Sequence, residues 1–428
     1  MPERIVRRVP KLRDLKEIIQ LKPGELNATK RRLSNANTIW DLRKIAQQRT
    51  PKGPFDYTDG AADSEIGLRR AREAFEDLEF QPGILRDISQ VDMSTTVLGR
   101  KSALPFGLAP TGFTRMMHTL GERAVVAAAA SAGIPYGLSS VGTTSIEKVA
   151  ETAPNAQKWF QLYLWKNRDQ SLALIENAQT AGYEALIVTV DVPTAGNRLR
   201  CLRNGMTVPP QLTLKTFADA SYRVQWWFDL LTTEPFKFAF DSSGEGEIKD
   251  LVDKLYDPTV TFEDLAWLRE VWDGPLIIKG IQTVADARKA MDYGADGVVV
   301  SNHGGRQLDR APIPLHVLPD IVEAVGQRGT VMLDTGIMHG GDIIAAVALG
   351  ADLALVGRAY LYGLMAGGQA GVTRAIDILA GEAERTMKLL GVSSINELNP
   401  DHVHLMSRRQ LLNPQTVSGY PNRELSSV

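Results

Sequence analysis

Three observations in the 428-residue chain predict an α/β fold, specifically a (β/α)8 TIM barrel. Eight short apolar runs lie between residues 103 and 358, helix-patterned segments separate them, and polar or glycine residues come after every run. The runs are Ala103–Ala109, Ile134–Leu138, Trp159–Leu164, Ala185–Val190, Pro275–Ile278, Gly297–Val300, Thr330–Leu333 and Leu353–Val356. Their near-continuous apolarity suits parallel strands buried on both faces. Among the intervening segments, Gly121–Ala132, Gln170–Ala181, Thr283–Tyr293 and Asp342–Leu349 read as helices, with Ala-Gly and Tyr-Gly closings of the kind helix C-termini prefer.

The residues after each run are taken in chain order. Pro110-Thr111-Gly112 comes after the first and Ser139-Ser140 after the second; Gln161 and Tyr163 close the third; Thr189 and Asp191 end the fourth. Lys279 succeeds the fifth, Ser301-Asn302-His303-Gly304-Gly305-Arg306 the sixth, Asp334 and Gly336 the seventh, and Gly357-Arg358 the eighth. Taken singly, Ser139 or Thr189 reads as a turn residue, Asp191 as a helix cap and Lys279 as a solvated strand end. Together they describe one lined pocket at the C-terminal ends of the strands, where such barrels keep their chemistry.

His303 supplies a base that titrates near neutral pH, and Arg306 a permanent cation shaped for a carboxylate. The pair points to proton removal from an anionic substrate. The plainer reading of His303-Gly304-Gly305 is a polar turn in which the histidine caps a helix. Gly336 and Arg358, after the seventh and eighth runs, stand where this fold binds phosphate. Lys279 can stabilise negative charge on a ring such as a reduced flavin. No Gly-x-Gly-x-x-Gly opens a helix after a strand, so a nicotinamide-binding domain is not indicated.

Composition is that of a water-soluble globular protein: 44% hydrophobic, 23% charged, formal net charge -2, which argues against a nucleic-acid partner. Cys201 is the only cysteine, so no intrachain disulfide and no paired-cysteine metal site can form, and no metal is expected. With no apolar stretch suited to a signal peptide or membrane span, a cytoplasmic location is the expectation. Residues 1 to 32 carry ten Lys/Arg against four Asp/Glu, with Leu12, Leu15, Ile18, Ile19 and Leu21 as an apolar stripe. This segment reads as a helix capping the domain or as a basic surface for an anionic membrane.

The expected organisation is an N-terminal helical extension over 1–100, a barrel over 101–391 with an inserted loop at 202–261 between the fourth and fifth strands, and a C-terminal tail over 392–428. The tail holds His404, Arg408 and Arg409, lacks clear periodicity, and is expected to cover the barrel or contact a subunit. The inserted loop contains the aromatic run Tyr222-Arg223-Val224-Gln225-Trp226-Trp227-Phe228. It suits either a lid over the barrel mouth or a membrane-contacting patch.

Ser301 to Asp309, with Ala109-Pro110-Thr111, Gln161-Leu162-Tyr163, Thr189-Val190-Asp191 and Gly357-Arg358 at the barrel stations, resembles the FMN-dependent L-2-hydroxy acid oxidase and dehydrogenase family. The likeness runs from about Asp41 to Gly391. Phe55 to Ala62 and Gly357 to Gly363 are most similar to the actinobacterial, quinone-linked L-lactate dehydrogenase branch.

The resemblance implies FMN as cofactor and oxidation of an L-2-hydroxy acid, foremost L-lactate to pyruvate, with electrons passed to a quinone. His303 would be the catalytic base with Asp191 bonded to it. Arg198, Arg306 and Tyr57 would clamp the substrate carboxylate, and Tyr163 would contact the substrate's hydroxyl or carboxylate. Pro110, Thr111, Gly112, Ser139, Gln161 and Thr189 would surround the flavin ring, with Lys279 near its N1 and O2. Ser301 would hold the ribityl chain, and Asp334, Gly336, Gly357 and Arg358 the ribityl and phosphate. A homotetramer and peripheral contact with the inner face of the cell membrane, through the loop corresponding to 202–261, are also implied.

Two alternatives accompany this reading. One is an oxygen-using oxidase acting on a larger or aromatic acid such as mandelate. The more distant one is an FMN-dependent isopentenyl diphosphate isomerase, against which the carboxylate-binding residues Tyr57, Arg198 and Arg306 argue. The chain departs from the family at Met338, where many members carry a phosphate-binding Arg, so weaker FMN binding is expected, with His339 as a substitute. Gly112 and Val141 replace larger residues and are expected to enlarge the space around the substrate side chain.

Overall fold

The computed structural model describes residues 25–204, 221–234 and 257–406. Eight parallel strands close into a barrel: β1 (Phe106–Leu108), β2 (Tyr136–Ser139), β3 (Lys158–Leu162), β4 (Ala185–Thr189), β5 (Leu276–Ile281), β6 (Gly297–Val300), β7 (Thr330–Leu333) and β8 (Leu353–Val356). The ring is sealed where β8 pairs with β1, Ala354 opposite Phe106 and Val356 opposite Leu108. Every residue of β2 to β6 is buried, because helices cover the outside and side chains fill the inside.

The last three strands coincide with their apolar runs, whereas the first shrinks to Phe106–Leu108 and the fifth extends to Ile281. That extension moves Lys279 from beyond the strand to within it. A β-bulge between Lys279 and Ile281 permits this, with Gly280 at φ +108, where a Cβ would lie 2.7 Å from the Asp191 Cβ. The bulge lets Lys279 sit at the barrel mouth while pairing continues with β6.

Local capping explains the helix boundaries. The helix Arg168–Thr180 begins where the Asn167 side chain accepts from the Asp169 N–H, and Val284–Asp292 where Thr283 accepts from the Asp286 N–H. At the opposite end of the barrel, Val97 of an antiparallel pair (Thr95–Val97 with Arg100–Ser102) packs among the interior residues Trp159, Ile187, Ile277 and Leu355.

Among the described residues, four helices precede the barrel: Ala28–Ser34, Ile39–Arg49, Lys52–Asp59 and Ile66–Glu76. The second lies along the helical segment Arg358–Leu390, which is broken by a kink at Gly367 and Gly368, and Arg374 donates to the Ala36 carbonyl at 2.8 and 3.1 Å. The third carries Tyr57 to the mouth of the barrel. Past Gly391, which ends the long helix in a left-handed conformation, Val403–Leu405 pairs antiparallel with Leu78–Phe80. His404 is exposed on that strand. Residues 1–24 of the basic segment 1–32, the loop residues 205–220 and 235–256, and Arg408 and Arg409 lie outside the described residues. Among the described residues no helix is long and apolar enough to cross a membrane, and no cluster of three His, Cys, Asp or Glu residues could hold a metal.

Candidate active site

After β6 the chain makes a tight turn through His303–Gly305, whose three residues all have positive φ (59, 65 and 72). For Gly305 this is obligatory, since a Cβ would fall 2.8 Å from the Leu68 nitrogen. His303 bears local strain in the same turn. It is held by its N–H to Ser301 Oγ (3.0 Å) and by Nδ1 to Asp191 Oδ1 (3.0 Å). A carboxylate can only accept, so Nδ1 carries the proton and Nε2 is left as the basic nitrogen.

Burial pushes the His303 imidazole below its ordinary value against the opposing pull of Asp191. Burial acts on Asp191 in the other direction, but His303 and Lys279 outweigh it and hold its carboxyl low. A neutral imidazole beside an ionised carboxylate is a base with its counter-charge already in place.

Lys279 is buried and held between Asp334 (2.8 Å) and Ser301 Oγ (2.9 Å). Desolvation lowers its affinity for the proton, and Asp334 with Asp191 reverses the balance, so the ammonium stays charged. On the opposite side, the Tyr57 ring lies 4.7 Å from the Arg306 guanidinium and 5.7 Å from that of Arg198. Burial, and then the proximity of Arg198, pushes Arg306 down to about 10, which leaves it cationic at neutral pH. The two arginines form a concentrated positive site next to the base.

These groups face one cavity of about 1210 Å³. That exceeds the roughly 300–1,000 Å³ of ordinary ligand pockets and leaves room for a cofactor and a substrate side by side. Tyr57, Pro110, Thr111, Gly112, Ser139, Gln161, Tyr163, Thr189, Arg198, Lys279, His303, Arg306, Asp334, Gly336, Gly357 and Arg358 all line it. Asp191 and Ser301 do not: the first stands behind His303 and the second behind Lys279. The Ser301 hydroxyl accepts from Lys279 and from the His303 N–H.

The expected phosphate end is rearranged. Arg358 lines the wall, but its donors reach backbone carbonyls of Thr58 (2.9 Å), Gly60 (2.8 Å) and Gly304 (2.9 Å). Met338 lines the cavity and is buried with the apolar core. His339 is not the expected substitute, since its ring accepts from Trp40 Nε1 (3.2 Å) and lies 3.6 Å from the Glu382 carboxylate. The cause is Asp342, which takes the N–H groups of both Met338 and His339 (2.8 and 2.9 Å) and caps the helix Gly340–Ala348.

Arg72, from the N-terminal extension, enters this corner and binds the Gly336 carbonyl (2.6 Å) and Asp342 (2.5 and 2.8 Å). Arg43, Arg72, Arg200 and Asp59 all line the cavity; no motif in the sequence marks the three arginines, and Asp59 lies in the stretch Phe55 to Ala62 without being singled out there. Three of the four come from the extension, where charged residues on amphipathic helices carry no local sign of their destination.

Comparison with known proteins agrees with this geometry. The family model described as FMN-dependent dehydrogenase matches residues 46–405. A Mycobacterium tuberculosis protein, provisionally named an L-lactate dehydrogenase, is 54% identical over 94% of this chain and 97% of its own. An L-lactate oxidase of Nostoc is 40% identical over 87% of this chain and 99% of its own. The crystal structure of the monotopic membrane protein (S)-mandelate dehydrogenase superposes with a TM-score of 0.83 at 35% identity, covering 87% of this chain and 100% of that one. The chain belongs to the FMN-dependent dehydrogenase family.

The cavity fits the cofactor of that family. Ser139 Oγ donates to Gln161 Oε1 at 2.6 Å, which leaves the buried Gln161 Nε2 without a partner among the described residues. A buried amide N–H in that state needs an acceptor, and the carbonyl and ring-nitrogen edge of an isoalloxazine supplies acceptors.

Proposed function

We propose that this member of the FMN-dependent dehydrogenase family oxidises L-lactate to pyruvate and delivers the electrons to a quinone. The observation that carries the reading is the convergence, in one cavity, of His303, backed by Asp191, with Arg198, Arg306 and Tyr57. A base beside a carboxylate receptor suits an acid bearing its hydroxyl on the adjacent carbon. The names of the L-lactate dehydrogenase of Pectobacterium atrosepticum, 40% identical over 87% of this chain, and of the Mycobacterium relative support lactate as substrate.

Bound FMN supplies the two-electron acceptor. The residues hold and aim the substrate: Arg198, Arg306 and the Tyr57 hydroxyl take the carboxylate, and Tyr163 takes the hydroxyl or carboxylate from across the cavity. His303 Nε2 accepts the proton released as the substrate is oxidised, and Asp191 stabilises the imidazolium that results. Pro110, Thr111, Gly112, Ser139, Gln161 and Thr189 would enclose the ring. Lys279 would face its electron-accepting edge with a permanent positive charge. Asp334 would reach the ribityl chain. Gly336, Gly357 and Arg358, with Arg72 in place of the cation missing at Met338, would face the phosphate.

Anaerobic addition of L-lactate to the FMN-reconstituted protein tests the reading, with D-lactate as control. Bleaching of the flavin by the L-form alone is expected. Bleaching by (S)-mandelate but not by L-lactate would favour the aromatic-acid reading that the mandelate dehydrogenase likeness motivates. Rapid reoxidation by oxygen rather than by a quinone analogue would favour an oxidase, as the name of the Nostoc relative suggests. Bound flavin that no 2-hydroxy acid reduces would overturn the reading and leave the isomerase alternative.

A further inference from the structure

Asp59 is buried at the end of the helix Lys52–Asp59, where three elements converge on its carboxylate. Arg43, from the helix Ile39–Arg49, grips it through two hydrogen bonds of 2.6 and 2.8 Å. Arg200, from the short helix Leu199–Arg203, donates at 2.7 Å, and the Tyr362 hydroxyl, from the helix Arg358–Leu390, at 2.8 Å. Arg200 is also tied to Glu65 at 2.5 Å. A charge this buried is stable only while such partners remain.

The backbone on either side of Asp59 holds the cations of the cavity. Arg306 donates to the carbonyls of Tyr57 (2.5 Å) and Gly60 (3.2 Å), and Arg358 to those of Thr58 and Gly60. Arg198 sits two residues before Arg200 and lies against the Tyr57 ring. One carboxylate thus ties down both the segment 57–60 and the segment 198–200.

We propose that Asp59 is a positioning residue for substrate binding: it keeps Tyr57, Arg198 and Arg306 in register to receive the acid end of the substrate. The proposal rests on the reading that these three residues bind a 2-hydroxy acid carboxylate. With Asp59 neutralised, Arg43 and Arg200 lose their shared counter-charge beside Arg306 and Arg358. Both segments then relax. A displacement of about 1 Å at a binding group is enough to cost a large factor.

The test is Asp59→Asn in the FMN-reconstituted enzyme, with KM and kcat measured for L-lactate. The dissociation constant of oxalate, a dicarboxylate with no C–H bond to oxidise, is read from the flavin spectrum. KM and the oxalate constant are expected to rise at least about tenfold, with kcat within about threefold. Two milder variants, Tyr362→Phe and Arg200→Gln, weaken the same cluster and are expected to raise both constants by about threefold to fivefold. An unchanged oxalate constant in these variants overturns the proposal. So does a fall in FMN affinity and thermal stability with KM unchanged, which would mark Asp59 as merely structural. If no 2-hydroxy acid reduces the wild-type flavin, the functional reading fails, and the oxalate titration alone decides the role of Asp59.

Discussion

Gly112 and Val141 occupy one another's space: a Cβ at position 112 would lie 2.5 Å from Val141 Cγ2 and 3.1 Å from the Val141 carbonyl oxygen. The two residues are therefore a compensated pair rather than two independent enlargements. Val141 is itself buried and fills the room that a larger residue at 112 would claim.

Gly112→Ala is accordingly expected to destabilise the protein by about 1–3 kcal/mol through overpacking. Val141→Ala in the same chain is expected to recover most of that loss, since the closest atom is removed. Thermal unfolding of the two single variants and the double variant checks it. Strict additivity of the three values would show that the pair is not coupled.

The pH dependence is expected to follow His303. Its burial lowers the imidazole's affinity for the proton below the ordinary 6.5, so the base is neutral at pH 7 and becomes protonated only as pH falls. The kcat/KM for L-lactate is expected to be flat near neutrality and to drop on the acid side with an apparent pKa below 6.5. Asp191→Asn removes the opposing charge, so the acid limb moves further down while kcat falls by about 10²-fold or more. An acid limb displaced to higher pH in that variant would contradict the assignment.

Lys279 and Asp334 form a buried pair at 2.8 Å, with both side chains almost wholly enclosed. Lys279→Met leaves the Asp334 charge without its partner and is expected to cost about 3–5 kcal/mol. Adding Asp334→Asn should restore much of the stability, though not flavin reduction, because the cation is still missing. Denaturant unfolding of the apoprotein separates the two effects.

The helix Val224–Thr232 divides the aromatic run between an inward and an exposed face. Trp226 faces the barrel, its Nε1–H donating to the Met116 carbonyl at 2.9 Å. Val224, Phe228 and Leu231, spaced as one helix face, are 72%, 62% and 75% exposed among the described residues. Phe228→Asp with Leu231→Asp is expected to reduce co-sedimentation with anionic vesicles at least about fivefold, while reduction of FMN by L-lactate persists. Unaltered co-sedimentation would remove this face from membrane docking.

The barrel is legible in the sequence because its strands are buried on both sides and therefore apolar throughout, as Gly297–Val300 and Leu353–Val356 show most plainly. His303, Arg306 and Lys279 are legible because strand ends impose their neighbours: residues just past a buried strand of a closed parallel barrel face the common mouth. The bulge that draws Lys279 into β5 is not legible, since Gly280 marks it only through a positive φ that depends on Asp191 across the strand pair.

By itself the sequence determined the barrel and the family, because periodicity and short motifs are properties of neighbouring residues. Only the tertiary structure decided which partners Arg358, His339 and Ser301 bond to, and that Asp59, Arg72 and Arg200 belong to the site at all. Those outcomes are competitions between partners far apart in the chain, from the 16 positions between Arg43 and Asp59 to the 300 between Thr58 and Arg358. A buried donor or acceptor takes whichever partner the fold brings within about 3 Å, and no local pattern records that choice.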